Sequence, residues 1–291
     1  MLRSTLCYRI SKSLIKPPTE ITGDIDGYAV WREEAMQASW RNFSNNDIDN
    51  KDLLDFGCGE GPLSLYLADK YAPKSILGID IDAFAIERAN QALSQIVHIK
   101  AMPPIKFVLG ETSGLPAADE SVDTILAFDC MEHIMTPLEI MAEWHRVLRP
   151  GGKVLIEWFP FKGPYGPHMN SLIPIPWAHV LFGEKALFQT AARIYDDPDF
   201  APHHWDLDEH GQKRPNKWAQ FDNFKDHGYL NQLDLAGFKN LAEKTRFEII
   251  RQDNRGFGHK GVKKAVGSLL MKMPFFFEYF VNYTLIELKK I

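Results

Sequence analysis

Apolar and polar positions along the chain follow two rhythms. Short apolar runs recur at 53–56, 74–80, 105–109, 123–128 and 153–158, and longer amphipathic stretches fill 62–71, 83–99 and 137–148. The first pattern predicts buried strands and the second predicts helices. Their alternation predicts an α/β fold, a doubly wound and mostly parallel sheet with helices on both faces. Further on, 185–195 and 229–237 read as helices, the latter ending at Gly237, and 247–251 reads as a late strand. Tyr283 to Lys289 fits a buried last strand. Upstream, 28–44 predicts an amphipathic helix and Asn45 to Lys51 a polar link. At the start, Leu2, Leu6, Ile10 and Leu14 recur at helical spacing until Pro17 and Pro18 stop them.

The stretch Lys51 to Gly61, KDLLDFGCGEG, concentrates the candidate chemistry. A buried strand runs into a turn built on Gly57, Gly59 and Gly61, and the turn runs into a helix. Such a turn lets backbone N–H groups and the helix N-terminus approach a ligand. Asp80 closes the next apolar strand, where its carboxylate can accept from both hydroxyls of a ribose. A G-x-G turn alone also suits a dinucleotide. Asp55 just before the turn and Glu60 within it oppose a pyrophosphate and suit a ligand with positive charge. That favours a cationic nucleoside, S-adenosylmethionine, over NAD.

DFGCGEG, GIDID, GLPAADESVDTILAFDCMEHI and WHRVLRPGGKVLI, in this order and spacing, resemble successive motifs of the class I S-adenosylmethionine-dependent methyltransferases, in their small-molecule, methyltransferase-11-like branch. The resemblance covers residues 51–158 well and the rest loosely. It implies a seven-stranded Rossmann-like sheet closed by an antiparallel last strand. It also implies cofactor contacts from Asp55, Gly57, Cys58, Gly59, Asp80, Ile81 and Asp129, and an adenine contact from Glu111 with Thr112 beside it. A helix ahead of the first strand would cover the cofactor, with Tyr28 or Trp31 at its mouth. Four segments follow: a helical cap over 1–50, the cofactor core over 51–158, a substrate lid over 159–225 and completion of the sheet over 226–291.

Composition adds bounds. A chain of 291 residues holds one large α/β core or a domain with an elaborate insertion. A net charge of −5 gives no support for a nucleic-acid surface. Cys7, Cys58 and Cys130 lie too far apart in sequence for a disulfide or metal pattern, which suits a reducing, cytoplasmic setting. No D/N-P-P-Y/F run follows the fourth strand, so amino-methylation of nucleic acid or protein is disfavoured. The expected reaction is methyl transfer to a small-molecule acceptor, at oxygen. Transfer to nitrogen or carbon, and a scaffold that keeps the fold without catalysis, are the alternatives.

Methyl transfer to a hydroxyl needs a base for its proton. His133 follows the fourth strand and titrates near neutrality. In the family the matching histidine lies near the acceptor. His168 and Tyr165 stand in the loop GPYGPH, which leaves the sheet edge where ligands bind. The alternative reading of both histidines is structural. His203, His204 and His210 with Asp206 and Asp208 contain metal-ligand types, without the spacing of a standard site. Finally, residues 1–16 carry Arg3, Arg9, Lys12 and Lys16 and no acid, and 271–280 is aromatic. Both suit peripheral contact with a membrane. Lys272, Pro274 and Glu278 make the second a poor membrane span.

Overall fold

The computed structural model describes residues 2–17, 34–97, 102–208, 210–256, 266, 267 and 269–291. Its strands are β1 (Asp52–Phe56), β2 (Ser75–Asp80), β3 (Ile105–Leu109), β4 (Val122–Phe128), β5 (Leu148–Trp158), β6 (Phe247–Gly256) and β7 (Val281–Lys290). Its labelled helices are α1 (Leu2–Leu14), α2 (Pro62–Lys70), α3 (Ala83–Val97), α4 (Pro137–Val147), α5 (Ala178–Phe182), α6 (Glu184–Tyr195), α7 (Phe224–His227) and α8 (Leu235–Lys244). The chain divides into two compact units. A sheet unit is formed by Arg32–Trp158, Leu235–Asn254 and Thr284–Ile291. A helical unit is formed by Met1–Trp31, Phe159–Asp234 and Arg255–Tyr283.

The sheet unit has strand order β3-β2-β1-β4-β5-β7-β6. The pairs β1–β2, β1–β4, β2–β3 and β4–β5 are parallel, and β7 runs antiparallel to β5. This is the doubly wound, mostly parallel arrangement the alternating pattern predicts. Leu54, Ile125, Leu126, Val154, Leu155 and Ile156 are fully buried, and strands covered on both faces need such continuous apolar runs. Phe107 of β3 lies against Gly61 and Gly78. A Cβ would come within 2.5 Å of the ring at Gly61 and 2.4 Å at Gly78, so no larger residue fits beneath it.

At the amino-terminal edge, charges hold the strand ends together. Arg149 reaches Asp52 at 2.9 Å and Asp123 at 2.8 Å, while Lys153 reaches Asp47 at 2.8 Å. Here β5 departs from the predicted strand. It begins at Leu148, because Leu148 pairs with Val122, and a register shift then absorbs Pro150-Gly151-Gly152 before Lys153 pairs with Thr124. The predicted helix over 229–237 is also displaced. Helix α8 starts at Leu235, Gly237 lies inside it, and Leu235, Phe238 and Ala242 form its buried stripe. Phe238 stacks on Trp158 with ring centroids 5.1 Å apart. A helix-period stripe facing a tryptophan outweighs the local stop signal of one glycine.

The helical unit is organised by α6, whose Leu187, Phe188, Ala191 and Ile194 join Cys7, Trp218, Phe224 and Leu230 in one core. Helix α1 packs on α6 through Cys7 and Ser11, both 0% exposed. Its other anchors are polar: Tyr8 Oη donates to Asp197 at 2.8 Å, and Lys12 pairs with the same carboxylate at 2.6 Å. The leucines of the predicted stripe face outward, with Leu2 88% and Leu6 53% exposed. The loop after β5 is a chain of tight turns, Gly163 N–H to Pro160 O, Gly166 N–H to Gly163 O and His168 N–H to Tyr165 O. A Cβ on Gly166 would stand 2.1 Å from Phe161 O.

Candidate active site

Strand order reverses direction between β1 and β4, so the carboxyl ends of these strands open a crevice at a topological switch point. The glycine turn lies at that edge. Gly57 N–H and Cys58 N–H both donate to Ile79 O, at 2.8 and 3.1 Å, which ties the turn to the end of β2. Gly57, Gly59 and Gly61 all have positive φ, a conformation that costs side-chain-bearing residues and not glycine. Their surroundings differ. A Cβ at Gly57 would meet Cys130 Cβ at 2.8 Å, whereas one at Gly59 would meet no protein atom within 4 Å. The turn is packed from behind and open at Gly59, the cradle a nucleoside needs.

Asp80 stands at the end of β2 with both oxygens oriented by backbone. Gly59 N–H donates to Oδ2 at 2.8 Å and Asp82 N–H donates to Oδ1 at 2.9 Å. Each oxygen keeps a further lone pair for a ligand hydroxyl. Asp55 is 3% exposed at the end of β1, and Ser64 Oγ on α2 donates to it at 2.7 Å. Glu60 differs from the sequence expectation: Arg88 of α3 pairs with it at 2.9 Å, so its charge is balanced within the protein. The negative potential at the turn comes from Asp55 and Asp80.

Two thiols flank these carboxylates. Burial first, then Asp55 and Asp80, raises the Cys58 pKa far above the thiol range. Burial likewise raises Cys130, followed by the charges of Glu132, Asp129, Asp55 and Asp80. Cys130 Sγ donates to Phe56 O at 3.4 Å. Both groups stay neutral and poorly nucleophilic.

The remaining predicted residues are placed as follows. Ile81 is 66% exposed after β2, and Glu111 and Thr112 are exposed just after β3. Thr112 O accepts from Thr136 Oγ1 at 3.3 Å. Asp129 follows β4 with φ 55°, its N–H donating to Glu157 O at 3.0 Å. His133 ends a single 3-10 turn, Met131–His133, and its N–H donates to Cys130 O. These residues all belong to the sheet unit. Tyr165 and His168 belong to the helical unit. His168 has φ 50°, and its ring meets Phe159 edge-on at 4.8 Å. Burial raises the Tyr165 pKa. Tyr28 and Trp31 lie outside the described residues.

A metal at His203, His204 and His210 is not what the fold builds. The carboxylates beside them serve the backbone: Asp206 accepts from His203 N–H at 3.0 Å, and Asp208 accepts from His210 and Gln212 N–H at 2.9 and 2.8 Å. The His203 ring stacks on Trp205 at 4.7 Å, and His210 is exposed. His203 and His210 enter no grouping of three metal donors among the described residues.

Two further residues complete the edge. Ser39, in the helical stretch 34–40, donates to Glu157 Oε1 at 2.8 Å, and Glu157, near the end of β5, is 9% exposed. The one signal for Glu157 in the sequence is a single acid in the otherwise apolar run VLIEW. Ser39 has none.

A family model described as a methyltransferase domain matches residues 54–156. An uncharacterized methyltransferase of Mycobacterium ulcerans is 31% identical over 156 residues, which covers 53% of this chain and 55% of that protein. One from Mycobacterium marinum shows the same identity and coverage. The chain thus spans about half the length of the curated relatives it matches. Among solved structures, MccD protein superposes with TM-score 0.52 at 17% identity, covering 89% of this chain and 97% of its own. The [4+2]-cyclase SpnF gives TM-score 0.51 at 14% identity, covering 89% and 80%. These structural likenesses show the fold. Through residues 54–156, with their glycine turn, Asp80 and switch-point crevice, the chain is similar to the class I S-adenosylmethionine-dependent methyltransferases.

Proposed function

We propose that this protein transfers the methyl group of S-adenosylmethionine to a small-molecule acceptor, at an oxygen atom. The observation that carries the reading is Asp80, fixed by two backbone N–H groups beside the open face of Gly59. In this reading Asp80 accepts from the ribose hydroxyls, Glu111 and Thr112 meet the adenine edge, and the turn at Gly57, Cys58 and Gly59 lies along the nucleoside. Asp55 supplies negative charge for a cationic ligand, and Ile81 and Asp129 bound the site on either side.

The cofactor, when bound, supplies a methyl carbon already activated by a sulfonium. The protein's work is to align an acceptor, exclude water and collect a proton. His133 is assigned the proton. The neutral thiols at Cys58 and Cys130 fit the same reading, since a thiolate beside an alkylating group would compete for it. Oxygen is preferred over nitrogen because a histidine base suits a hydroxyl, which must lose its proton as it attacks. For His168 and Tyr165 the reading predicts that His168→Gln and Tyr165→Phe lower kcat/KM while cofactor affinity stays.

Calorimetry with S-adenosylmethionine and S-adenosylhomocysteine, followed by labelled cofactor with a metabolite extract, tests the proposal. Binding of both nucleosides and a labelled small molecule with a base-stable ether or a base-labile ester support it. Label on nitrogen or carbon corrects the acceptor atom. Label only on protein or nucleic acid refutes the small-molecule reading, and binding without turnover across the extract favours the scaffold.

A further inference from the structure

Three elements of the helical unit turn apolar side chains to solvent. On α1, Leu2, Leu6 and Leu14 are 88%, 53% and 49% exposed, while Cys7 and Ser11 take the inner face. On α5, which packs against α1, Val180 and Leu181 are exposed. Trp177 caps α5 and donates its indole N–H to Tyr279 O at 2.6 Å, and its ring meets Phe280 edge-on at 5.9 Å. That contact holds the base of a third element, the turn at 271–276. On it Phe275 is 92% exposed and Phe276 58%, with Leu269 and Met273 exposed just before. Phe275 adopts φ 72°, a left-handed conformation that disfavours a side chain of this size. A solvent-directed phenylalanine at a strained position calls for a function.

Two of the segments that carry these groups are themselves basic, and the acids next to them, Asp197 and Asp199, are paired with Lys12. Residues 2–17 carry Arg3, Arg9, Lys12 and Lys16 and no acid, and Arg3, Arg9 and Lys16 are exposed. The apolar turn carries Lys272, also exposed. The next carboxylate, Glu278, is 7% exposed and faces Lys162 at 3.3 Å. The chain as a whole carries −5, so these basic and apolar segments run against the average. Among the described residues no helix is long and apolar enough to cross a membrane. Exposed leucines and phenylalanines flanked by cations are the chemistry of interfacial attachment.

We propose that this face docks on an anionic lipid bilayer. Phe275 and Phe276 enter the headgroup–acyl boundary, the outer leucines of α1 lie on it, and Arg3, Arg9, Lys16 and Lys272 meet the lipid phosphates. The inference stands apart from the methyl-transfer reading and does not depend on it.

Flotation of the full chain with vesicles tests it, comparing pure phosphatidylcholine with a phosphatidylcholine–phosphatidylglycerol mixture at low and high salt. The expected result is flotation with the anionic mixture, weakened by salt. In the double variant Phe275→Ser, Phe276→Ser the vesicle partition falls by on the order of ten-fold or more. In Arg3→Glu, Arg9→Glu the preference for anionic vesicles falls. Thermal unfolding of both variants at the wild-type midpoint establishes that the fold is kept. Absence of flotation by the wild-type chain overturns the proposal, as does equal flotation of properly folded variants. A wild-type dimer in solution that the phenylalanine variant abolishes, without vesicle binding, assigns the face to a second copy instead.

Discussion

At the scale of single residues, Asp80 and the two thiols give the sharpest expectations. Asp80→Asn keeps the size of the side chain and puts a donor where a ribose hydroxyl would donate. Its affinity for S-adenosylhomocysteine should fall about ten- to a hundred-fold, roughly 1.4–3 kcal/mol, by calorimetry. A change below two-fold would remove Asp80 from the cofactor's contacts. Cys58 and Cys130, buried and facing carboxylates, should resist iodoacetamide at neutral pH until denaturant is added. Modification of the native protein at either position, read by mass spectrometry, would contradict the geometry. Residues within one strand–turn–helix were legible from sequence. Asp55 and Asp80 lie at the ends of two successive strands and the three glycines in the turn after the first, and the spacing of apolar runs locates strand ends. Ser39 with Glu157, or Cys130 with Phe56 O, could not be read this way. These partners are 118 and 74 positions apart, and the sheet brings them together.

Elements show which local signals dominate. Phe107 is 4% exposed and fills the space over Gly61 and Gly78. Phe107→Ala should cost about 3–5 kcal/mol and be seen as a lowered denaturation midpoint. Cofactor affinity should fall with it, since the ring backs the glycine turn. Gly166→Ala forces a Cβ toward a backbone oxygen 2.1 Å away. It should lower the thermal midpoint, whereas Ala at Gly59 meets no neighbour and acts through backbone strain alone. An equal stability loss for both would mean that the 160–168 loop yields easily. Sequence periodicity located β1 to β4 closely, because buried parallel strands need unbroken apolar runs. It missed the start of β5, where a register shift carries the ladder across Pro150-Gly151-Gly152. The helical spacing of the leucines marks α1 as a helix but not what anchors it, which is Cys7, Ser11, Tyr8 and Lys12.

For the whole molecule, acid should act first on the helical unit. Burial lowers the His179 pKa to about 4, and burial with the nearby Lys217 charge lowers His227 to about 4, both from 6.5. Between those values the unfolded chain binds more protons than the folded one. Stability therefore falls as pH drops from 6.5 toward 4, and below that these two groups add no further slope. Urea unfolding at about pH 7 and about pH 4.5 should give a lower midpoint in acid. His227→Phe, which keeps a ring on Trp218, should reduce the difference. An unchanged difference would show that other groups govern it. The interleaving of the two units escaped the sequence, because a boundary defined by spatial contacts leaves no composition shift where the chain crosses it.

The position of β7 has a consequence in time. It lies between β5 and β6, yet it is the last of the seven strands to be synthesised. From Trp158 to Val281 the ribosome needs on the order of ten seconds. Throughout that interval the outer backbone of β5 lacks its partner while its side chains are among the most apolar in the protein. The yield of soluble protein in a cell should then depend on translation speed and chaperone supply across this stretch, more than on the stability of the finished fold.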